Sequence, residues 1–247
     1  MITLEHKIAF DRDGFVVVPE AFDEGEVQVL ADEDAVCGRI RDARAMADAE
    51  GRNSKLSLTQ DFSDDVWGYV SRMPRVVRSA ETLLGEAVYH WHSKIMVKEA
   101  REGGAWEWHQ DYGYWYRDDP PFPQMISAMI AVTDADRVNG CLKVLRGSHR
   151  CGRIDHGRVG AQTGADPERV RALMERLQVV HCELKKGSML FFHCNLLHAS
   201  EPNLSERPRI SYICCYNALS NPPLTRPGHG PCVPIELVED HLESRLS

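Results

Sequence analysis

The sequence predicts a mainly β protein with flanking helices, in which a jelly-roll barrel forms the core. Two observations carry this prediction: short strand-like runs recur from residue 87 to about residue 220, and helical periodicity dominates before them. A chain of 247 residues with 43% hydrophobic content can bury a sizeable core. We therefore expect one domain over 1–247, helical over about 1–86 and with its barrel core over about 87–220.

The helical part opens with a helix that is expected to end at Gly14, since glycine accommodates the left-handed conformation that ends helices. The run Phe15–Val18, rich in β-branched residues, then predicts a first strand. Apolar residues at helical spacing predict one long amphipathic helix from about Asp23 to Ala49. The segment Asp64–Leu84 predicts one or two further helices, interrupted at Pro74.

An alternating pattern begins after Ala87 and predicts the strand Val88–Lys98. Strict alternation sets Tyr89, Trp91, Ser93, Ile95 and Val97 against His90, His92, Lys94, Met96 and Lys98. The face with the ionisable groups would look into a site if the strand lines a barrel. Further strand-like runs are Met125–Val132, Gly140–Val144, Gln178–Leu184, Ser188–Phe192 and Arg209–Tyr216.

The composition argues against several classes of partner. The formal net charge is -8 and lysine and arginine form no long run, which disfavours nucleic acid and anionic membranes. No stretch approaches the ~20 apolar residues of a membrane span. A small polar molecule is the expected partner of a monomer or homodimer. Without an N-terminal signal peptide, the eight cysteines do not indicate a disulfide framework, so we expect a cytoplasmic protein with reduced thiols.

The motif that carries chemistry is the tripeptide His109-Gln110-Asp111, answered by His198 later in the chain. On an extended segment, side chains two positions apart point to the same side, so His109 and Asp111 can reach one metal ion. Two imidazoles and one carboxylate that leave the opposite face of the metal open are the ligand set of non-haem Fe(II) oxygenases. Arg209 offers a planar guanidinium that can clamp a dicarboxylate co-substrate.

Other residues near these motifs have structural interpretations. His193 precedes His198 by an odd number of positions, so on a regular strand it faces away and is not expected to bind the metal. His149 is interpreted as a structural turn residue. The aromatic residues around the tripeptide are interpreted mainly as barrel core, with one or two facing the substrate. The excursion His149–Leu177 breaks the strand rhythm and is interpreted as an insertion near the barrel mouth, where lids lie.

Four groups of motifs, in a fixed order, cover most of the chain. They are Asp13-Gly14-Phe15-Val16-Val17-Val18-Pro19; Trp108-His109-Gln110-Asp111-Tyr112 with Trp115; Asn139-Gly140-Cys141-Leu142 leading to Gly147-Ser148-His149; and His198-x-Ser200-x-x-Asn203-x-Ser205-x-x-x-Arg209. In this combination the sequence resembles the phytanoyl-CoA dioxygenase family and, within it, the ectoine hydroxylase-like branch.

The resemblance implies a double-stranded β-helix (jelly-roll, cupin-like) core that binds Fe(II) and takes 2-oxoglutarate and dioxygen as co-substrates. The metal ligands that it implies are His109, Asp111 and His198. The 2-oxoglutarate residues that it implies are Arg209, Ser200, Ser127, Trp115 and Lys98. On the substrate side it points to His92 and Lys94.

The choice of Lys98 rests on spacing. Lys98 lies six positions after His92, the spacing between the substrate-side glutamine and the co-substrate lysine in ectoine hydroxylases, and it is therefore favoured over Lys94. His92 stands where that branch has glutamine, and Arg146 stands where it commonly has proline. These two departures argue against ectoine itself as the substrate.

The expected function is hydroxylation of an unactivated C–H bond in a small polar metabolite, amino-acid-like or secondary, with release of succinate and CO2. Asp111 argues against halogenation, because related halogenases have glycine or alanine at this position. The alternative is a jelly-roll protein that binds a metal or ligand without turnover. The complete triad together with Arg209 favours the enzyme.

Overall fold

A computed structural model describes residues 2–41, 43–225 and 232–242. These residues form thirteen strands and seven α-helices. The helices are Leu4–Asp13 (α1), Glu24–Leu30 (α2), Glu33–Ile40 (α3), Val66–Val70 (α4), Pro74–Leu84 (α5), Asp111–Trp115 (α6) and Pro167–Met174 (α7). The strands are Phe15–Val18 (β1), Arg44–Ala47 (β2), Asn53–Thr59 (β3), Val88–Lys98 (β4), Trp106–His109 (β5), Met125–Ala131 (β6), Leu142–Leu145 (β7), His156–Val159 (β8), Gln162–Ala165 (β9), Val179–Cys182 (β10), Met189–His193 (β11), His198–Ser200 (β12) and Arg209–Ala218 (β13). Short 3-10 helices cover Tyr116–Asp118 and Ser148–Cys151.

The strands form two antiparallel sheets and one separate hairpin. The larger sheet has the order β1-β11-β6-β13-β4-β3-β2, the smaller has the order β10-β7-β12-β5, and β8 pairs with β9. Apolar side chains from both larger sheets form one buried cluster, for example Met129 and Phe192 with Leu142 and Val144. This is the predicted jelly-roll core, and the predicted strands of the barrel are present within a few residues of their expected bounds.

Helices α1 to α5 cover the outer face of the seven-stranded sheet. Trp67 of α4 and Leu83 of α5 are buried in a second apolar cluster with Ile130 and Phe191 of that sheet. Pro74 begins α5 at the first helical position, where its missing N–H is harmless, so it separates two helices as expected. Gly14 ends α1 with a φ of 84°, as the sequence predicts.

The predicted long helix from Asp23 to Ala49 is wrong. Helix α2 ends at Leu30 and α3 ends at Ile40, and the chain then forms β2. β2 pairs with β3 at the edge of the seven-stranded sheet, and β3 pairs with β4. Backbone pairing with a neighbouring strand therefore overrides the helical periodicity of this stretch. As a result, the helical part contributes three strands to the larger sheet.

The predicted alternation along β4 fails at its start because the strand contains a bulge. The pairing with β13 shifts between Cys215 and Tyr216, so that His92 pairs with Cys215 while His90 pairs with Tyr216. His90 bonds to Ser93 at 2.8 Å, on the helix-covered side. His92 lies on the barrel side together with Trp91, which was expected to face away from it. The bulge thus removes His90 from the cavity and keeps His92 in it.

Two expectations from composition concern the whole chain. Within the three described stretches, no helix has the length and apolar character that crossing a bilayer requires. The seven cysteines whose side chains the structure describes are free thiols. The cytoplasmic location and the monomeric or homodimeric state stay predictions.

Candidate metal and co-substrate site

Three predicted ligands meet at one end of the barrel. His109, Asp111 and His198 each offer a ligand atom, these atoms lie within 4.8 Å of one another, and all three residues are buried. His198 pairs directly with His109 across β12 and β5, and the two ring centroids are 4.1 Å apart. The strand stops at His109, but Gln110 keeps an extended backbone (φ -113°, ψ 136°), so Asp111 still reaches the same side before it opens α6.

Backbone carbonyls orient both imidazoles. The Nδ1 atom of His109 lies 2.7 Å from the Glu107 carbonyl oxygen, and Nδ1 of His198 lies 2.9 Å from the Leu196 carbonyl oxygen. A carbonyl can only accept, so each Nδ1 carries the proton and each Nε2 keeps its lone pair. Burial lowers the pKa of both rings, and the neighbouring His198 lowers that of His109 further. Both rings are therefore neutral, as metal ligands must be.

The carboxylate of Asp111 is held at both oxygens. Ser127 donates to Oδ2 at 2.8 Å, and the Lys94 ammonium lies 3.3 Å from Oδ1. Burial would raise the pKa of Asp111, but the Lys94 ammonium and the hydrogen bond from Ser127 hold it below its usual range. Asp111 is therefore ionised and its direction is fixed.

Gln110 ties the ligand tripeptide to the segment that leads to His198. Its fully buried side chain donates to the carbonyl oxygens of Gly152 at 2.9 Å and Asn195 at 2.7 Å. Its Oε1 accepts from the backbone N–H of Ile154 at 2.7 Å. Asn195 lies three residues before His198, so a single amide links both ligand-bearing segments. The sequence indicated the tripeptide but gave no role to its middle residue.

His156 supports the segment from His109 to Asp111, called the ligand turn below, from another side. Its Nε2 accepts from the backbone N–H of Gln110 at 2.9 Å, and its Nδ1 lies 2.8 Å from the Ile154 carbonyl oxygen. Gly113 allows this close approach, because a Cβ there would lie 2.1 Å from the His156 ring. The excursion His149–Leu177, which contains His156, therefore supports the ligand turn.

Replacing Gln110 by alanine is expected to weaken the binding of a divalent metal such as Co²⁺ by about 10- to 100-fold, because residues that orient metal ligands contribute that much to affinity. Metal titration followed by absorption measures the effect. Asn221→Ala is the matched control, since Asn221 is also fully buried and its side-chain amide bonds to Phe122 and Asn217 at 2.6–2.9 Å. The control should lower the melting temperature without changing metal affinity; equal metal affinity in both variants would contradict the role of Gln110.

A cavity of about 390 Å³ borders the triad. Arg209 and Ser200 line it, both of them buried. The Nη1 atom of Arg209 donates to the Gly140 carbonyl at 2.5 Å, while its buried Nε has no partner among the described residues. Burial lowers the pKa of Arg209 to about 10, so the guanidinium stays charged at neutral pH. An oriented cation with an unused donor is suited to an anionic ligand.

Two residues that were expected at the co-substrate do not line the cavity. Lys98 is fully buried and donates to the Glu201 carbonyl oxygen. It pairs with Arg209 across β4 and β13, and burial together with this cation lowers its pKa to about 6. An ammonium on Lys98 would repel the adjacent Arg209 guanidinium, and of these two residues only Arg209 borders the cavity. Ser127 donates a hydrogen bond to Asp111, so it contacts a predicted metal ligand and not the cavity.

The other predicted residues divide between cavity and core. His92, Lys94 and Trp115 line the cavity, and the rings of His92 and Trp115 are 5.3 Å apart, edge to face. His193 and His149 do not border it; their rings lie 5.5 Å apart, and His193 is outside the triad, as expected.

Sequence reasoning missed two parts of the wall. The β2–β3 hairpin contributes Met46, Leu56 and Leu58, and the β8–β9 hairpin contributes Gln162 and Thr163. Polar residues at 55, 57 and 59 alternate with Leu56 and Leu58, which is a strand signal that was available. The sequence prediction placed only helices between Pro19 and Leu84 and no strand, so this signal was not used.

Comparisons with known proteins agree over nearly the whole chain. The profile of the family described as phytanoyl-CoA dioxygenase (PhyH) matches residues 10–211. L-proline trans-4-hydroxylase from Streptomyces griseoviridis is 29% identical over 239 residues, 89% of this chain and 88% of that protein. Ectoine dioxygenase from Halomonas elongata is 30% identical over 229 residues, 86% of this chain and 69% of that protein.

A solved structure is similar as well. EctD from S. alaskensis with bound Fe superposes with a TM-score of 0.79 at 25% identity, covering 96% of this chain and 88% of that one. Sequence, fold and the His-Asp-His group thus point the same way. The chain belongs to the phytanoyl-CoA dioxygenase family, and it is an Fe(II)- and 2-oxoglutarate-dependent dioxygenase of the ectoine hydroxylase-like branch.

Proposed function

We propose that His109, Asp111 and His198 bind Fe(II), and that the enzyme hydroxylates an unactivated C–H bond of a small polar, amino-acid-like metabolite. The observation that carries the proposal is the buried triad, whose three ligand atoms lie within 4.8 Å of one another in the wall of a cavity. The donor set fits the metal, because two neutral imidazoles and one ionised carboxylate are the ligands of non-haem Fe(II) oxygenases.

When bound, Fe(II) would supply the oxidative chemistry with 2-oxoglutarate and dioxygen: 2-oxoglutarate would lose CO2 and gain one oxygen atom to become succinate, and the other oxygen atom would be added to the substrate. The protein contributes position and charge. Arg209 binds the distal carboxylate of 2-oxoglutarate through its planar guanidinium, and Ser200 beside it in the wall adds a hydroxyl donor. Tyr114 and Trp115 border the same cavity and exclude water from the reacting C–H bond.

The substrate side is assigned to His92 and Lys94. Both lie on β4, which faces the cavity next to Asp111. The names of the relatives above specify L-proline and ectoine, two small molecules. His92 occupies the position at which the ectoine hydroxylase-like branch has glutamine, so we propose an amino-acid-like substrate other than ectoine.

A product screen tests this function. Purified enzyme is supplied with Fe(II), 2-oxoglutarate and air, together with proline, other amino acids or ectoine, and products are identified by mass. A product heavier by one oxygen atom, formed only when iron and 2-oxoglutarate are both present, is expected. Tight binding of iron and 2-oxoglutarate without succinate from any mixture would support the alternative, a binding protein without turnover.

A further inference from the structure

The strand that carries His109 lies at the edge of its sheet. β5 ends the order β10-β7-β12-β5, and among the described strands only β12 pairs with it. Trp106 of β5 pairs with Ser200 of β12, so the residues on either side of it, Ala105 and Glu107, point their backbone groups away from β12. Backbone groups on such an edge need other partners, because an unpaired group that is shielded from water costs free energy.

Side chains take the place of a neighbouring strand on this edge. Gln162 of β9 bonds to both residues: its Nε2 donates to the Ala105 carbonyl oxygen at 2.8 Å, and its Oε1 accepts from the Glu107 N–H at 3.0 Å. The Ala105 N–H donates to Asp48 at 3.0 Å. One primary amide thus bonds a C=O and an N–H that lie two positions apart, as the peptide group of a neighbouring strand does.

The remaining group on this edge orients a metal ligand. The Glu107 carbonyl oxygen lies 2.7 Å from Nδ1 of His109, and this contact leaves Nε2 of the ring free for a metal. The N–H and C=O of Glu107 are therefore occupied by Gln162 and by His109. Without Gln162 the Glu107 N–H loses its partner, and any movement of this residue is passed to the imidazole bonded to it.

The β8–β9 hairpin, which carries Gln162, lies close against the ligand-bearing segment. The Tyr114 hydroxyl of α6 donates to the Thr163 carbonyl oxygen of β9. A Cβ at Gly164 would lie 3.0 Å from the Trp108 carbonyl oxygen, so the hairpin passes nearly in contact with the backbone of β5. The hairpin thus has a defined position beside β5, and Gln162 is held at the right distance from the strand.

Gln162 itself is fixed by its bonds. It is 6% exposed, and its Nε2 also donates to the Ala47 carbonyl oxygen of β2 at 3.0 Å. Both N–H donors of the amide and one acceptor position of its oxygen are therefore bonded to backbone. A side chain with these bonds is suited to holding backbone segments in place rather than to moving with a ligand.

Building on the metal site proposed above, we propose that Gln162 is a positioning residue for the metal ligand His109. It holds the Glu107 backbone and, through it, the direction of the His109 imidazole. Gln162 also borders the cavity, so the cavity wall and the support of a metal ligand meet in one side chain.

Binding of Co²⁺, followed by absorption, tests the proposal, because the visible bands of this ion depend on the geometry of its ligands. Titration of the wild type and of His109→Ala identifies the bands that come from the triad. Gln162→Met keeps the length of the side chain and removes its three hydrogen bonds. We expect it to weaken Co²⁺ binding by about tenfold, the lower end of the range for residues that orient metal ligands. At saturating Co²⁺ its bands should differ from those of the wild type.

Asn221→Leu is the matched control. The Asn221 side chain also makes three amide hydrogen bonds, two with the backbone of Phe122 at 2.9 and 2.6 Å and one with Asn217 at 2.8 Å, and it does not border the cavity. This control should lower the melting temperature and keep the wild-type bands. Gln162→Asn is a second variant in case the methionine variant folds poorly. It keeps the amide but is one methylene shorter, so it cannot reach all three backbone partners and should also change the bands.

Wild-type Co²⁺ affinity and wild-type bands in both Gln162 variants would overturn the proposal. An equal change of the bands in Asn221→Leu would overturn it as well, because the effect would then follow stability rather than position. In both cases the proposed metal site stands. If the wild type shows no Co²⁺ bands that depend on His109, the proposed function fails together with this inference.

Discussion

His198→Ala, His109→Ala and Asp111→Ala are each expected to abolish turnover and to lower the iron content of the purified protein. The reason is that the described part of the chain offers three clustered ligand atoms for the proposed Fe(II), so the loss of one leaves a site that competes poorly with water for the metal. The loss of Asp111 also leaves Lys94 without its neighbouring carboxylate. Iron per protein and succinate per minute are the two measurements.

His193→Ala is the control for these variants. His193 is a partly buried histidine at the end of β11, but it packs against His149 and does not belong to the triad. Its replacement should leave iron content and turnover close to those of the wild type, and should lower stability modestly, because a partly buried side chain that packs against His149 is lost. Full activity in any of the three ligand variants would contradict the metal assignment.

Arg209→Ala is expected to raise the KM for 2-oxoglutarate steeply, by about 30-fold or more, because removing one partner of a buried charge pair typically costs at least about 2 kcal/mol. Arg209 is 4% exposed, so water can replace little of the lost interaction. Initial rates of succinate formation at varied 2-oxoglutarate give the effect. The iron content should stay unchanged.

Arg209→Lys should restore little of that affinity, because an ammonium cannot reproduce the two parallel N–H donors of a guanidinium. A KM for 2-oxoglutarate that stays the same in Arg209→Ala would mean that another cation binds the distal carboxylate. Lys94 would then be the first candidate, because it is the other cation among the described residues that line the cavity.

The ligand residues could be predicted from the sequence because they depend on short-range geometry. His109 and Asp111 are two positions apart on an extended backbone, which brings them to the same side whether or not the strand continues. The barrel strands were predictable for a similar reason, since their alternation and turns are local. The partner of His109 across the sheet, His198, was accessible through the resemblance of the surrounding motifs.

The remainder of the site depends on pairing between distant segments. One extra residue in β4 relative to β13 moves His90 out of the cavity, and no local pattern indicates a bulge there. The same register places Lys98 beside Arg209 rather than in the cavity wall. β2 and β3 were missed because they become strands by pairing, β3 with β4 and β2 with β3, although the segment before them has helical spacing.

The supports of the ligand turn were equally hidden. Gln110 contacts Gly152, Ile154 and Asn195, which are 42 to 85 positions away along the chain. A buried amide that joins three loops has no periodic signature in sequence. The excursion after His149 could be expected near the cavity, but its second role, holding the metal-ligand turn through His156, follows only from the structure.

The central claim is that the triad uses Fe(II) to oxidise 2-oxoglutarate, and the most direct measurement is succinate formation after metal removal and replacement. The protein is treated with a chelator, supplied with 2-oxoglutarate and air, and then given Fe(II) or Zn²⁺ in separate samples. We expect no succinate without metal, restored formation with Fe(II) and none with Zn²⁺, which has no redox chemistry. Equal succinate with Zn²⁺, or none with Fe(II) in protein that binds both iron and 2-oxoglutarate, would contradict the account.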